Sequence, residues 1–585
     1  MKKKIVKSIQ SGRFGFIKNL TKNQILYILL ALIIAFILRL SFSFHPGYRG
    51  DIDGFKRWGI TALKYGVCNI QRYDTSNTYP PGYLYVLKSV AYIYYLVKPD
   101  LKDSKYFTLL IKLPPLITDL LCGLLLFYYL LPGTDFKKAF YILLLFLFNP
   151  AVIVDSAIWG QLDSVPLLLF FLSLFLSFKK KPLFSYIFLT LTVIIKLQYA
   201  IFIPFIFELN SRDKVRFQEI IRGISISLIT VFIVCLPHIF HNTVNDVVNI
   251  ILHTPGTFQE LSLNAFNLWW LVAKGDGMNA SDYSLLLGII TYKKAGFIMF
   301  ISVFILTFIT FYKEKNEEKL IECIALAGFA FFMLLTRMHE RYIFPLTFFL
   351  AIVFFKDLRY KILYIFLSIN LFLSLMIVLH WVYPENNYPL LSLINCKVLS
   401  LFLAALNLIL FLLFTFYVLR KCNLKPVIVI LIFSIIYIIS GNICHFKKEV
   451  YISHIQELKS SQGWGELHKD TNLEGERIFI KFYPYDYGLS THSNSTITYK
   501  LNKSYTYFKS DLGIGQECGT GGSVIFKVIL DKKEVYVSPL VRGWQDPLHI
   551  EIPLSGKDLM ELVVTDGGDG LDWDHAIWGN GKLYK

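Results

Sequence analysis

Two carboxylates stand two residues apart in Arg49-Gly50-Asp51-Ile52-Asp53, just after the first long apolar run of the chain. Asp51 is the first acidic residue, and nine lysines and arginines precede it. A carboxylate at a membrane interface can take the proton of a hydroxyl while that oxygen forms a new bond, the work of a general base. Asp51 and Asp53 are the candidates for this role. The alternative is a pair of solvated loop acids answering Arg49 or Lys56. Gly50, just before them, permits backbone conformations closed to other residues.

The densest charged cluster is Thr336-Arg337-Met338-His339-Glu340-Arg341, with apolar runs on both sides. Two guanidiniums and an imidazole at membrane depth are costly unless they meet an anion. Arginine's planar fork matches phosphate oxygens, so Arg337, His339 and Arg341 are candidate phosphate ligands, with Lys196 of Val193-Ile-Ile-Lys-Leu-Gln198 beside them. Pairing with Glu340, a basic cytoplasmic turn, or snorkelling of Lys196 would account for the same residues. Ala157-Ile-Trp-Gly-Gln-Leu-Asp163 closes another apolar run. There Gln161 and Asp163 can hydrogen-bond sugar hydroxyls while Trp159 offers an aromatic face, or Trp159 simply anchors the chain at the interface.

The elements that must position these residues follow from composition. Apolar residues make up 55% of the 585, charged residues only 17%, and mean hydropathy is +0.51, which defines a polytopic membrane protein. The net charge of +17 sits in short segments between apolar runs, as in cytoplasmic loops, and does not point to nucleic acid. The eight cysteines form no CxxC and no metal-ligand spacing, so neither a metal nor a cofactor is expected.

Residues 1–23 are basic and read as cytoplasmic; residues 24–44 are long enough to cross a bilayer. Further apolar runs fall at 108–131, 138–158, 163–178, 183–207, 219–238, 295–312, 319–336, 340–355, 360–382, 398–419 and 426–443. Placing the six basic loops between them inside requires 183–207 to enter and return as two short helices meeting near Lys196 and Gln198. It also requires the tyrosine-rich 82–97, opened by Tyr79-Pro80-Pro81, to lie along the outer interface. The result is about 13 crossings within 24–443, an outer loop over 45–107, and every candidate cluster on the outer face.

At these residues the chain resembles the C-type (GT-C) glycosyltransferases, nearest to bacterial relatives of the GPI-anchor mannosyltransferases. It is also similar to the glucosyltransferases that extend the lipid-linked N-glycan precursor. Gly50-Asp51-Ile52-Asp53, Arg57-Trp58, Tyr79-Pro80-Pro81 and His339-Glu340-Arg341 stand in the order of the latter's signature, over residues 24 to about 443. Arg341 replaces a lysine of that pattern, and Ile52 an aromatic residue. The resemblance implies Asp51 as catalytic base and an inverting attack on a polyprenyl-phosphate sugar. The hexose, most simply mannose, would pass to an extracytoplasmic glycan or glycolipid at the cell membrane. Protein O-glycosylation, and transport or flipping of a lipid-linked glycan, are the competing readings.

Beyond a linker over 444–484, residues 485–585 alternate like strands, as in Ser523-Val-Ile-Phe-Lys-Val-Ile-Leu530, and predict an extracytoplasmic all-β sandwich. Thr491-His-Ser, the Gly519 to Gly522 turn and Val564-Thr-Asp-Gly-Gly-Asp-Gly-Leu-Asp-Trp-Asp-His-Ala576 resemble the NPCBM carbohydrate-binding module. Trp544, Trp573 and Trp578 are its candidate glycan-stacking residues. The Asp566 to Asp574 run reads as calcium ligands or as turn caps.

Overall fold

A computed structural model describes residues 20–74, 76–212, 216–253, 259–286, 290–386, 388–420 and 449–584. The chain divides into two compact units, Met1–Asn442 and Ile443–Lys585.

The first unit is helical. Thr21 and Gln24 form a reciprocal capping box that starts Lys22–Phe42. Only Ile28, Ala31, Ala35 and Arg39 of this helix are buried; Leu29, Leu30, Ile33, Ile34 and Ile37 face outward, a surface stable only against lipid. Arg39 interrupts the apolar run without reaching lipid. Its Nε donates to Asp119 at 2.9 Å, and Ser156 Oγ donates to the same carboxylate at 2.6 Å.

Six helices among the described residues are long and apolar enough to cross a membrane: Lys22–Phe42, Lys105–Gly133, Arg216–Phe240, Tyr292–Glu314, Leu358–Val382 and Cys396–Leu419. Phe136–Leu147 and Pro150–Trp159, bent by 44° at Asn149-Pro150, make a seventh if read as one span. Other expected runs are cut shorter. The stretch 183–207 breaks at Lys196, as its sequence predicts, into Pro182–Ile195 and, after a 3-10 turn, Ile203–Ser211. The run 340–355 holds a 3-10 turn, Glu340–Ile343, and the nine-residue helix Pro345–Val353. At 1.5 Å per residue, nine to fifteen residues reach ~14 to 23 Å, less than a ~30 Å hydrocarbon core. Among the described residues, six or seven elements are therefore long enough by this measure, against the 13 crossings expected of the whole chain, because prolines and Lys196 divide runs that hydropathy alone joins. The expected span 426–443 and most of the basic segment 1–23 lie outside the described residues.

The stretch 45–107 is itself largely helical. Pro81 sets the first turn of Pro81–Val97, which packs on Arg49–Tyr65. A Cβ at Gly59 would sit 2.9 Å from the Leu87 carbonyl, so the close approach of these helices requires glycine there. Phe55 lies edge-on to Trp58, Tyr79 and Tyr83 at 5.6 to 5.8 Å, locking the helix that carries Asp51.

The second unit is an antiparallel β-sandwich. One sheet runs Leu548–Pro553, Tyr507–Ile514, His575–Tyr584, Gly488–His492, His468–Lys469, with Glu449–Tyr451 also paired to His575–Tyr584. The other runs Lys533–Val537, Ser523–Leu530, Leu559–Asp566, Ser495–Lys500, Lys459–Ser461, with Val541–Arg542 on Ser523–Leu530. Alternate residues Val524, Phe526, Val528 and Leu530 enter the core against Met560, Leu562 and Val564. The expected linker 444–484 is corrected by this pairing: its short strands belong to both sheets, and the sandwich is already under way at Glu449.

Candidate functional site

Asp51 lies in the first turn of Arg49–Tyr65, which Tyr48 enters in an extended conformation. The Tyr48 ring stacks on Trp159 at 5.0 Å and 6°, and its amide donates to the Trp159 carbonyl at 3.2 Å. Gly50 adopts ordinary helical backbone, so the special conformation its presence suggested is not used; its amide donates to the Tyr383 hydroxyl at 3.0 Å.

On the opposite wall, Val154–Trp159 is a single π-helical turn, a geometry common at functional sites. It ends at Gly160, whose φ of 92° favours glycine. The turn aims two donors at one atom. Trp159 Nε1 donates to Asp51 Oδ2 at 3.2 Å, and Gln161 Nε2 donates to the same oxygen. Arg341 stands 4.0 Å from that oxygen and 2.8 Å from Glu340, with its guanidinium 6.0 Å from the Trp159 ring centroid. The Asp51 side chain keeps 26% of its surface exposed, so the carboxylate is reachable while its donors are buried.

Lys112 holds this wall in place. Its buried ammonium donates to the carbonyls of His45 (2.6 Å), Ala157 (3.0 Å) and Ile158 (2.9 Å), tying the entry to the Asp51 helix to the π turn. Near this cluster, Lys196 pairs with Asp163 and lies 5.3 Å from the Tyr342 ring centroid, next in the chain to Arg341.

The structure thus brings together Asp51, Trp159, Gln161 and Arg341, with Lys196 and Asp163 as an adjoining ion pair. Two expected residues, Asp53 and Arg337, depart from this arrangement, while His339 stays beside it, its ring against the Tyr342 ring that Lys196 also approaches. Asp53 pairs with Lys56 at 3.5 Å and is 60% exposed, because residues two apart on a helix face different ways. Substituting Asn for Asp53 is therefore expected to change turnover by less than about ten-fold, the lower margin being a general base's ~100-fold; steady-state assay of the purified variant checks this. Arg337 is held bidentately by Asp282, at 2.7 and 2.8 Å, and Thr336 donates to the same carboxylate at 2.7 Å. Its fork grips that carboxylate with two parallel donors. His339 joins the chain at Leu263 and Asn264 by backbone bridges, and its ring lies edge-on to Tyr342 at 5.3 Å.

Sequence reasoning missed Lys112, Tyr48 and Asp282. A lone lysine inside Leu109-Leu-Ile-Lys-Leu-Pro114 is itself a signal, since intramembrane charge is costly. Asp282 carries none, lying in an ordinary polar loop.

In the sandwich, Trp578 is fully buried with its ring edge-on to Phe526 at 5.0 Å; it belongs to the core and cannot stack on a glycan. Trp573 is exposed and rests on the Gly521–Gly522 backbone, and Trp544, half-exposed, lies edge-on to Phe482. An unforeseen partner is Trp464, 63% exposed, with its ring 5.5 Å from that of His492. Contacts of His492 with His575, and of Trp573 with the glycine turn, place Trp464 and Trp573 at one end of the sandwich. Asp566 Oδ1 accepts from Gly568 N and caps that turn, whereas Asp574 Oδ1 accepts from Ser523 N and ties its loop to the start of the strand Ser523–Leu530.

Together these features define a multi-pass membrane protein with a cluster of buried polar side chains around one partly exposed acid, followed by an all-β module. Residues 448–584 match the family model described as the NPCBM/NEW2 domain. Over 145 residues the chain is 28% identical to a Renibacterium salmoninarum protein described as "Putative endo-alpha-N-acetylgalactosaminidase", covering 23% of this chain and about a tenth (10%) of that relative's length. It is similar, at 37% identity, to the solved CBM51 from Clostridium perfringens GH95 in complex with methyl-galactose, covering 23% of this chain and 99% of that one with a TM-score of 0.23. Arabinosyltransferase EmbB from Mycobacterium smegmatis aligns over 95% of this chain and 64% of its own, at 10% identity and a TM-score of 0.29.

Proposed function

We propose that the membrane unit is an inverting GT-C glycosyltransferase that moves a hexose, mannose in the simplest case, from a polyprenyl-phosphate donor to an extracytoplasmic glycan or glycolipid. The observation that carries this reading is the Asp51 carboxylate, anchored through one oxygen by Trp159 and Gln161 yet reachable from outside. In the reaction an acceptor hydroxyl attacks the anomeric carbon, its proton passes to Asp51, and the bond from that carbon to the phosphate oxygen breaks with its electron pair staying on the lipid phosphate. Arg341, the guanidinium beside Asp51, and Lys196 are the cations we assign to that phosphate. Incubating the purified protein in detergent with polyprenyl-phosphate mannose and a sugar acceptor tests the proposal. Detergent abolishes compartments, so glycosidic product distinguishes a transferase from a flippase, whereas absence of product with every polyprenyl-phosphate hexose tried would count against the reading.

The sandwich, in this reading, binds glycan through Trp464 and Trp573, whose exposed rings suit stacking on sugar faces. Trp464→Ala and Trp573→Ala are each expected to weaken binding of a methyl galactoside by about 0.5–1.5 kcal/mol, up to roughly ten-fold. Calorimetry on the full chain measures it, and unchanged affinity in both variants would remove the assignment of this face.

A further inference from the structure

A second constellation in the sandwich is left unused by the exposed tryptophans. Glu517 and Cys518 lie in the 3-10 turn Gln516–Cys518 that follows the strand Tyr507–Ile514. His575 opens the strand His575–Tyr584 and is 58 residues from Glu517 in the chain. Sheet pairing joins these segments, with Ile514 opposite Ala576 and the Gly515 amide donating to the His575 carbonyl at 2.8 Å. The turn is thus fixed to the strand by backbone before any side chain is considered.

A carboxylate oxygen of Glu517, Sγ of Cys518 and a ring nitrogen of His575 all lie within 4.8 Å of one another. Among the described residues, no other group of three or more histidine, cysteine, aspartate or glutamate side chains does so. The Glu517 Oε1 to His575 Nδ1 distance is 3.2 Å, and all three side chains are largely buried. Tetrahedral bonds of ~2.0–2.3 Å place neighbouring donor atoms ~3.3–3.8 Å apart, so small side-chain shifts bring the set to coordination distance.

We propose that Glu517, Cys518 and His575 form a zinc site in the sandwich. Thiolate, imidazole and carboxylate together suit a borderline divalent ion; calcium and magnesium take oxygen donors, and a soft copper(I) ion gains little from the carboxylate. Three protein ligands leave a fourth position for water. His492, whose ring centroid lies 5.8 Å from that of His575, stands beside it as a candidate fourth ligand. The sequence conceals such a site because no short spacing announces it: the ligands meet only through strand pairing. The ion would brace the turn that precedes Gly521 and Gly522, on which Trp573 rests. The bland alternative is a Glu517–His575 hydrogen bond with a bystander thiol.

The two readings separate with cobalt(II) as the probe. The full-length protein in detergent, stripped with a chelator and titrated with cobalt(II), is expected to develop visible bands of tetrahedral cobalt and a near-ultraviolet thiolate-to-cobalt charge-transfer band, both discharged by zinc. Cys518→Ser should lose the charge-transfer band. Glu517→Gln and His575→Gln, which keep the thiol, should each weaken metal binding by at least about ten-fold. No thiolate band in the wild type, or one that survives in folded Cys518→Ser, overturns the site. If Cys518→Ser does not fold, the other two variants decide, and unchanged affinity in both overturns it equally.

Discussion

Asp51→Asn is expected to lower turnover by about 100- to 10,000-fold while leaving the fold and donor affinity close to normal. The two side chains have nearly the same shape, and the amide oxygen of asparagine can still accept from Trp159 and Gln161. What is lost is the capacity to take a proton and the negative charge 4.0 Å from Arg341. The readout is kcat for purified variant and wild type with a polyprenyl-phosphate sugar, alongside donor Kd. Near-normal kcat would remove Asp51 from the role of base. A large rise in donor Kd with unchanged kcat would place the residue in binding instead. The Asp53→Asn variant is the internal control, since the same chemical change is made two residues along the same helix, where the carboxylate faces Lys56.

Arg337→Ala is expected to destabilise the membrane unit by roughly 3–5 kcal/mol, because it leaves Asp282 buried without its guanidinium partner. A residue whose task was to hold phosphate would behave differently: its loss would weaken donor binding and leave the melting temperature largely alone. The double variant Arg337→Ala/Asp282→Ala discriminates further. Removing both charges removes the uncompensated one, so the double variant should recover part of the stability that the single change loses. Thermal unfolding in detergent measures this. If Arg337→Ala melted with the wild type, the ion pair would not hold the segment that leads to Arg341.

The sequence makes legible what depends on composition and short-range pattern. Apolar runs mark the helical membrane unit, and alternation marks strands such as Ser523–Leu530. The residues whose chemistry is hard to tolerate inside a membrane, Asp51, Gln161 and Arg341, do converge. What stays hidden depends on direction and on partners far along the chain. Asp51 and Asp53 look equivalent until a helix turns them apart. Arg337 looks available until Asp282, 55 residues earlier, closes on it. Trp578 looks like Trp573 because the β-sheet register, which decides which side of a strand faces the core, is not written in residue type. The strands Lys459–Ser461 and His468–Lys469 are too short to alternate, so they read as linker although both are paired.

The Lys112 ammonium has a corollary for local opening. Its three carbonyl acceptors lie 67, 45 and 46 residues away in sequence, yet one cation joins them. The amide bonds that position the Asp51 cluster, Tyr48 on Trp159 and both Gly160 and Gln161 on Asp155, lie among these acceptors. Parting the segments that Lys112 joins leaves its buried charge without partners, which couples the opening of the turn to that of the Tyr48 contact. The amide protons of Tyr48, Gly160 and Gln161 are therefore expected to report one shared opening free energy in hydrogen exchange rather than three separate ones.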